Sequence, residues 1–445
     1  MPFHVARVTL HEAVLPLLFA VGLAAGDTAA LAQETLAPPA PATGQLGMTA
    51  DHQPLTLADC FVLALKQSET VAIRQEVINE TTGRFLQALS GVLPRASFEA
   101  SEKRQDGSGS SAFTLKRLPE RKFVFSQPLF SGFKEFAAMA GSRAERRQRR
   151  YEKARAEQLL FVDVSDAFYL LREQREDLAT LERTRTILLQ RIEELRDRER
   201  LGRSRPSEAV SAEAQLRRIE AELELVRSRE TTARQLLEFL TGLSYIEALS
   251  DADDPLPPLA SEGDYLGRTA LRPDVRAAEE AWRIADKTVT ATRADFWPDV
   301  DAEGNVYTKR VGVAEDVKWD ALLKVNVPLF QGGKTLGAVK EAQSRARQAK
   351  LRYEQTRREA LLDIRDLYAK LRAETTRRDA LEKALDAAEE NYRLQAEDYR
   401  LSLINNLEVL RALEALQDAR RDVIKSAYAV KRLYRQLQVA TGETS

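Results

Sequence analysis

Pro128-Leu129-Phe130-Ser131-Gly132 recurs 200 positions later as Pro328-Leu329-Phe330-Gln331-Gly332. Working outward at the same offset and without a gap, Asp163 matches Asp363, Asp166 matches Asp366, Leu171 matches Leu371 and Leu181 matches Leu381. Glu182 and Glu382, Leu201 and Leu401, Glu208 and Glu408, and Thr241-Gly242 and Thr441-Gly442 continue the series. Upstream, Leu93-Pro94 matches Trp297-Pro298 at an offset of 204, so the difference of four falls in the loop between. A repeat of this length exceeds the roughly 20–50 residues of a solenoid unit. It describes a duplicated half-molecule, and each half must build the same composite structure.

Each half reads as helix, strand, strand, long helix, turn, helix. Leu57 to Leu89 carries helical periodicity and Pro94 ends it; the matching helix runs from about Asp274 to Phe296 and stops at Pro298. Residues 55–250 form the first repeat and 265–445 the second. Between them, 251–264 is acidic and rich in proline (Pro255, Pro257, Pro258), and reads as a linker.

The strands show the clearest pattern. Ala96, Phe98 and Ala100 alternate with Arg95, Ser97, Glu99, Ser101 and Lys103. Val300, Ala302, Gly304 and Val306 alternate with Asp299, Asp301, Glu303, Asn305 and Lys309. Val317, Trp319, Ala321, Leu323, Val325 and Val327 alternate with Lys318, Asp320, Lys324 and Asn326, while Phe123 and Phe125 oppose Lys122 and Ser126. A period of two with one apolar and one charged face is a half-covered strand. Asp106 to Ser111 and Arg310 to Asp316 are hairpin loops.

Four such strands are too few for a core of their own, and hairpins merely packed on helices leave the strongly charged face unexplained. A membrane barrel explains both faces, with lipid outside and a wet lumen inside. Closure then forces oligomerisation, since an open sheet in lipid leaves unpaired backbone groups costing several kcal/mol each. Two chains give eight strands, a barrel filled by its own side chains. Three give twelve, and a trimer is the smallest assembly with a pore. Trp297, Trp319 and Tyr307 are expected on strands, where aromatic residues mark the headgroup level.

From Gly132 to Leu201, and again from Gly332 to Leu401, nothing breaks the chain, which predicts helices about 100 Å long. Val164, Leu171, Leu178 and Ile192 keep one heptad row, and Leu181, Leu188 and Leu195 the other. The second copy shows Leu381, Leu385, Ala388 and Tyr392. Gly202 suits a helix end, Pro206 a helix start and Asn405 an N-cap.

At the N-terminus, His4 and Arg7 precede an apolar run from Val14 to Ala25, with Ala30-Leu31-Ala32 as a cleavage site. Residues 1–32 are expected to be a signal peptide and 33–54 a disordered leader. The chain has one cysteine, Cys60, and after leader removal one histidine, His52. These cannot supply a His/Cys metal site, and no nucleotide or protease motif is present. Catalytic, cofactor-binding and metal residues are therefore expected to be absent. Balanced charge, with 67 basic and 68 acidic residues, leaves no nucleic-acid footprint.

The chain resembles the TolC-like outer membrane efflux proteins, also called outer membrane factors. The resemblance rests on the duplicated layout, the joints Pro128–Gly132 and Pro328–Gly332, the tip sequence Leu401-Ser402-Leu403-Ile404-Asn405-Asn406-Leu407-Glu408-Val409-Leu410, and the closing Thr-Gly pairs. It implies a mostly α protomer with a four-strand membrane sheet. Three protomers form a homotrimer whose 12-strand β-barrel in outer membrane lipid continues as a 12-helix α-barrel in the periplasm. It further implies docking to a periplasmic adaptor (membrane fusion protein) and, through it, to an inner membrane pump of the RND or ABC type, proton-driven or ATP-driven. No chemistry or cofactor belongs to the channel itself.

Matching the tip motif places Glu408 at one pore-constricting ring position and Arg411 at a second, where the best-known member has an acid; Ile404 replaces a basic tip residue. A surface pair of Glu408 with Arg411 at i, i+3 is the plainer alternative. Glu208 is expected to brace the neighbouring hairpin. Leu201, Gly202, Arg203, Leu401, Ser402 and Leu403 are the expected adaptor contacts. The resulting expectation is an export duct passing small molecules, metal ions or polypeptides, with a pore-less periplasmic scaffold or adaptor as the alternative.

Overall fold

The computed structural model describes residues 54–250 and 256–443. The expected signal peptide, residues 33–53 of the leader with His52, and positions 251–255 of the linker lie outside the described residues. Thr56 opens α1 (Leu57–Gln67) with a reciprocal cap: its hydroxyl accepts from the Asp59 N–H at 3.2 Å, and the Asp59 carboxylate accepts from the Thr56 N–H at 3.0 Å. Periodicity over Leu57–Leu89 predicts a single helix, but the structure breaks it at Ser68. There the backbone turns extended, and the hydroxyl caps α2 (Glu69–Leu89) by accepting from the Val71 N–H at 3.4 Å.

The first half continues through β1 (Arg95–Arg104), β2 (Arg117–Ser131), α3 (Lys134–Arg200) and α4 (Pro206–Thr241). The second repeats it as α5 (Glu262–Gly267), α6 (Pro273–Arg293), β3 (Asp299–Lys309), β4 (Trp319–Asn326), α7 (Lys334–Arg400) and α8 (Asn406–Ala440). Glu262 and the next residues, expected in the linker, are already helical, because Ser261 and Asp264 form the same reciprocal cap as Thr56 and Asp59. The linker therefore ends earlier than composition indicates.

β1-β2-β3-β4 form one antiparallel sheet, in which the second strand of the first repeat pairs with the first strand of the second. β1 and β4 are left as open edges. Gly242 and Gly442, both in the left-handed region, stop α4 and α8. α3 and α7 each have 67 residues, about 100 Å at 1.5 Å per residue. α3 is flanked by α2, α4, α6 and α8, whereas α7 touches chiefly α6 and α8.

Apolar packing falls into separate clusters along the helices. Phe161, Val164, Phe168 and Leu171 of α3 bury against α1, the end of α4 and Tyr428 and Val439 of α8. Cys60 belongs to this core, and burial pushes its thiol up to about 12, leaving it an inert packing residue. Further along, Leu181, Leu188, Ile192 and Leu195 pack with α4 and the start of α8. A smaller core joins Ile364 and Leu371 of α7 to Tyr265 and Leu437. The expected heptad rows of α3 are thus buried except at half-covered Leu178, while Leu381, Leu385, Ala388 and Tyr392 of α7 are only half covered. Among the described residues no helix is long and apolar enough to cross a membrane.

Candidate functional site: sheet, joints and helical tips

Alternation in the strands puts the apolar side chains into rows across the whole sheet. Phe98 opposes Phe123, which opposes Val306, which opposes Trp319. The next row is Ala96, Phe125, Gly304 and Ala321. The Phe98 and Phe123 rings lie 5.1 Å apart, yet Phe98, Phe123, Phe125, Val306, Trp319, Leu323 and Val325 all remain exposed. A contiguous face of this kind needs an apolar neighbour.

The opposite face is a polar lattice. Lys122 pairs with Glu99 at 3.4 Å, and Asp320 accepts from Tyr307 Oη at 2.8 Å and Asn305 Nδ2 at 2.9 Å. The Arg310 guanidinium stands 4.2 Å from the Tyr307 ring centre. Leu322 and Val124 share this side, so the alternation is not perfect. Of the three expected strand aromatics, Tyr307 and Trp319 lie on strands and Trp297 does not. Tyr307 belongs to the polar face, because its register partner is Lys122 and its hydroxyl has a carboxylate to bind. Trp297 precedes β3 and lies beside Gly132 at the joint; only Trp319 sits on the apolar face.

At the joints, the two copies of Pro-Leu-Phe-x-Gly do the same thing with different residues. Gly132 and Phe133 both take φ of 64°, and Gly332 and Gly333 take 59° and 83°. Two successive left-handed residues swing the chain from strand into helix, which glycine does without steric cost. Pro128 still lies inside β2, at a register shift where its missing N–H is tolerated, whereas β4 has ended before Pro328.

Both helical turns at the far end close by the same pair of bonds. The Arg203 N–H donates to the Arg198 carbonyl at 2.7 Å, and the Leu403 N–H to Asp398 at 2.9 Å. Gly202 (φ 71°) and Ser402 (φ 62°) supply the left-handed position. Leu201, Gly202, Arg203, Leu401, Ser402 and Leu403 are brought to these turns, with Leu201, Leu401 and Leu403 strongly exposed. Asn405 caps α8, accepting from the Glu408 N–H at 3.3 Å, as expected. Glu408 and Arg411 stand 3.5 Å apart on the exposed face of that first turn and pair with each other.

Glu208 does reach the second hairpin. Its carboxylate accepts from Tyr399 Oη at 3.3 Å and from Ser204 Oγ at 2.9 Å, and its carbonyl accepts from Asn406 Nδ2 at 3.4 Å. Tyr399 is buried between the guanidinium groups of Arg191 and Arg198, 3.8 and 4.7 Å from its ring centre. Arg191 Nε also donates to Asn406 Oδ1 at 2.9 Å. Burial, with the Glu208 carboxylate adding to it, pushes the Tyr399 phenol up, so it stays a donor. This clasp ties α3 and α4 to α7 and α8 next to the tip.

A second polar tie lies between the two larger apolar cores. Arg421 of α8 donates to Asp177 of α3 at 2.6 and 3.0 Å, and to Glu222 of α4. Burial works against the Arg421 charge, but these hydrogen bonds hold its affinity for the proton above the ordinary arginine value. Neither tie was read from the sequence beyond Glu208. Asp177 lies one turn before Leu181 and Arg421 one turn after Gln417, so charged residues within buried helix rows were the available signal. Among the described residues, no group of three or more His, Cys, Asp or Glu side chains could hold a metal ion.

Residues 269–443, essentially the second repeat, match the family described as outer membrane efflux protein. Over 163 residues the chain is 23% identical to the cation efflux system protein CusC of Escherichia coli K12, covering 36% of each. Over 232 residues it is 24% identical to the alkaline protease secretion protein AprF of Pseudomonas aeruginosa, covering 47% of each. The chain thus spans 36% to 47% of the length of these curated relatives. The fold likeness extends much further: a crystal structure of CusC superposes with a TM-score of 0.77 at 18% identity, over 87% of this chain and 92% of that one. The match to the outer membrane efflux protein family is thus carried by the second repeat, and the fold shared with the CusC structure extends over most of the chain.

Proposed function

We propose that the chain is one protomer of a homotrimeric export duct in the outer membrane. The observation that carries this reading is the sheet, which has two open edges, one exposed apolar face and one lattice of charges. Three copies of four strands close those edges into a 12-strand barrel with Phe98, Phe123 and Trp319 toward lipid and Glu99, Lys122 and Asp320 toward water. The long helices continue the wall as a 12-helix tunnel through the periplasm.

In this reading conduction is passive. The apolar tips at Leu201, Leu401 and Leu403, flanked by Gly202, Arg203 and Ser402, receive a periplasmic adaptor, and an inner membrane pump of the RND or ABC type supplies the energy. The Tyr399–Glu208–Arg191 clasp keeps the second hairpin against the first. Its release by the adaptor opens the tunnel, and Glu408 with Arg411 lines the narrowest point. The relatives' names span cation efflux and protease secretion, so the cargo class is small molecules, metal ions or polypeptides. A pore-less scaffold has no use for the exposed apolar sheet face.

The test is extraction from outer membranes followed by planar-bilayer recording. A detergent-soluble trimer that conducts ions supports the duct. A water-soluble monomer after leader removal defeats it.

A further inference from the structure

We infer that the contact between α3 and α6 inside one chain is the template for the contact between α7 of one copy and α2 of the next, with Arg347 paired to Glu76 of that second copy. The inference rests on the trimeric reading and deepens it by naming the mating residues. It starts from an ion pair: Arg147 Nε and Nη2 of α3 donate to the two carboxylate oxygens of Glu280 of α6 at 3.0 and 2.9 Å, with the Glu280 side chain only 4% exposed. The surrounding contacts give the antiparallel register. Lys134 reaches Asp295 at 3.1 Å near the sheet, the Arg276 guanidinium lies 5.7 Å from the Tyr151 ring centre, and Arg155 stands 3.7 Å from Asp274.

Every one of these positions has a repeat counterpart. At the 200-residue offset Arg147 becomes Arg347 and Tyr151 becomes Leu351; at the upstream offset of 204, Glu280 becomes Glu76 and Ala277 becomes Ile73. The counterparts are left uncovered in the single chain. Glu280 and Ala277 are buried, but Glu76 and Ile73 are exposed, as are Arg347 and Leu351. Arg347 is exposed, and the Glu76 carboxylate accepts from Asn79 Nδ2 of its own helix at 3.2 Å rather than from a cation. Within the chain, α6 is covered by both α3 and α7, whereas α2 has only α3. A second copy placed by the same geometry fills both vacancies at once, bringing Arg347 to Glu76 and Leu351 to Ile73. Of the charged template contacts, this one keeps its chemistry, while Lys134 and Asp295 become Lys334 and Gly91, and Arg155 and Asp274 become Gln355 and Thr70, so the proposed contact centres on one opposite-charge pair with an apolar pair beside it.

The experiment uses the full chain in detergent, with Cys60→Ala as background. Arg347→Cys combined with Glu76→Cys, treated with a short bifunctional thiol reagent, is expected to give covalent dimer and trimer bands that neither single cysteine gives. In parallel, Arg347→Glu or Glu76→Arg alone is expected to lower the urea concentration at which the detergent-solubilised trimer dissociates, and the double swap to restore it. A trimer by light scattering without the crosslinked bands, or single swaps without effect, overturns the inference and leaves the trimeric duct standing. A monomer by light scattering overturns both.

Discussion

α3 and α7 are the same helix twice, equal in length and alike in register, yet the chain treats them differently. α3 buries its apolar rows from Phe161 to Leu195, while the equivalent stretch of α7 keeps only Ile364 and Leu371 fully covered. Composition does not account for this, since both helices are dominated by Arg, Glu, Leu and Ala. Position does: α3 lies inside the protomer with neighbours on both flanks, and α7 ends it. The lesson is that duplicated sequence can be buried unevenly, and in the proposed trimer the bare copy is where the next subunit sits.

The sharpest way to break that comparison is at a position where the repeats differ in chemistry. Asp177 on α3 is buried against Arg421, and its counterpart Arg377 on α7 is more than half exposed. Asp177→Ala leaves a buried guanidinium with Glu222 alone, and is expected to cost about 3–5 kcal/mol of stability. Arg377→Ala is expected to stay within about 0.5 kcal/mol. Denaturant midpoints of the two variants decide it, and equal losses would mean the two helices are buried alike after all.

Next in size is the pair of joints. A Cβ at Gly132 would stand 2.7 Å from the Ala294 carbonyl oxygen and 2.9 Å from Trp297 Cβ, whereas one at Gly332 meets nothing within the same chain. Both positions carry a left-handed strain of about 1–3 kcal/mol for alanine. Gly132→Ala is therefore expected to deplete folded protein in the outer membrane more than Gly332→Ala does. Comparable yields would show that a neighbouring copy crowds Gly332 as tightly as Trp297 crowds Gly132.

The tips offer finer tests. Tyr399→Phe removes one hydrogen bond to Glu208, worth about 1 kcal/mol, and is expected to raise the open fraction in single-channel recordings; Glu199→Ala, at the equivalent place on α3, is expected to change nothing. Smallest in stability is Glu408→Ala or Arg411→Ala. The exposed pair contributes about 0.2–0.5 kcal/mol, but either change is expected to shift ion selectivity or conductance. Unaltered currents in both variants would reduce the pair to surface decoration.

Much of this was legible from the residues in order. Period-two alternation announced the strands, unbroken heptads the long helices, and Gly202, Pro206 and Asn405 their turns, because each is a local steric or hydrogen-bonding preference. The break at Ser68 was missed because one capping hydroxyl does not disturb the apolar periodicity on either side of it. Trp297 was missed as a strand residue because the short helical turn Ala294–Phe296 delays the start of β3, and which face Tyr307 serves is decided by its register opposite Lys122. The Tyr399 and Arg421 ties join residues about 190 to 245 positions apart, a distance over which no local pattern reports.

By itself, then, the amino-acid order determined the duplicated plan, the element types and the two-faced sheet, all consequences of short-range periodicity and turn chemistry. Tertiary structure alone decided that β2 pairs with β3 across the repeat boundary, that α3 is enclosed while α7 is left bare, and which buried charges find each other. Those outcomes depend on how two chemically similar halves pack side by side, and packing between distant segments is settled by shape and desolvation summed over the whole surface.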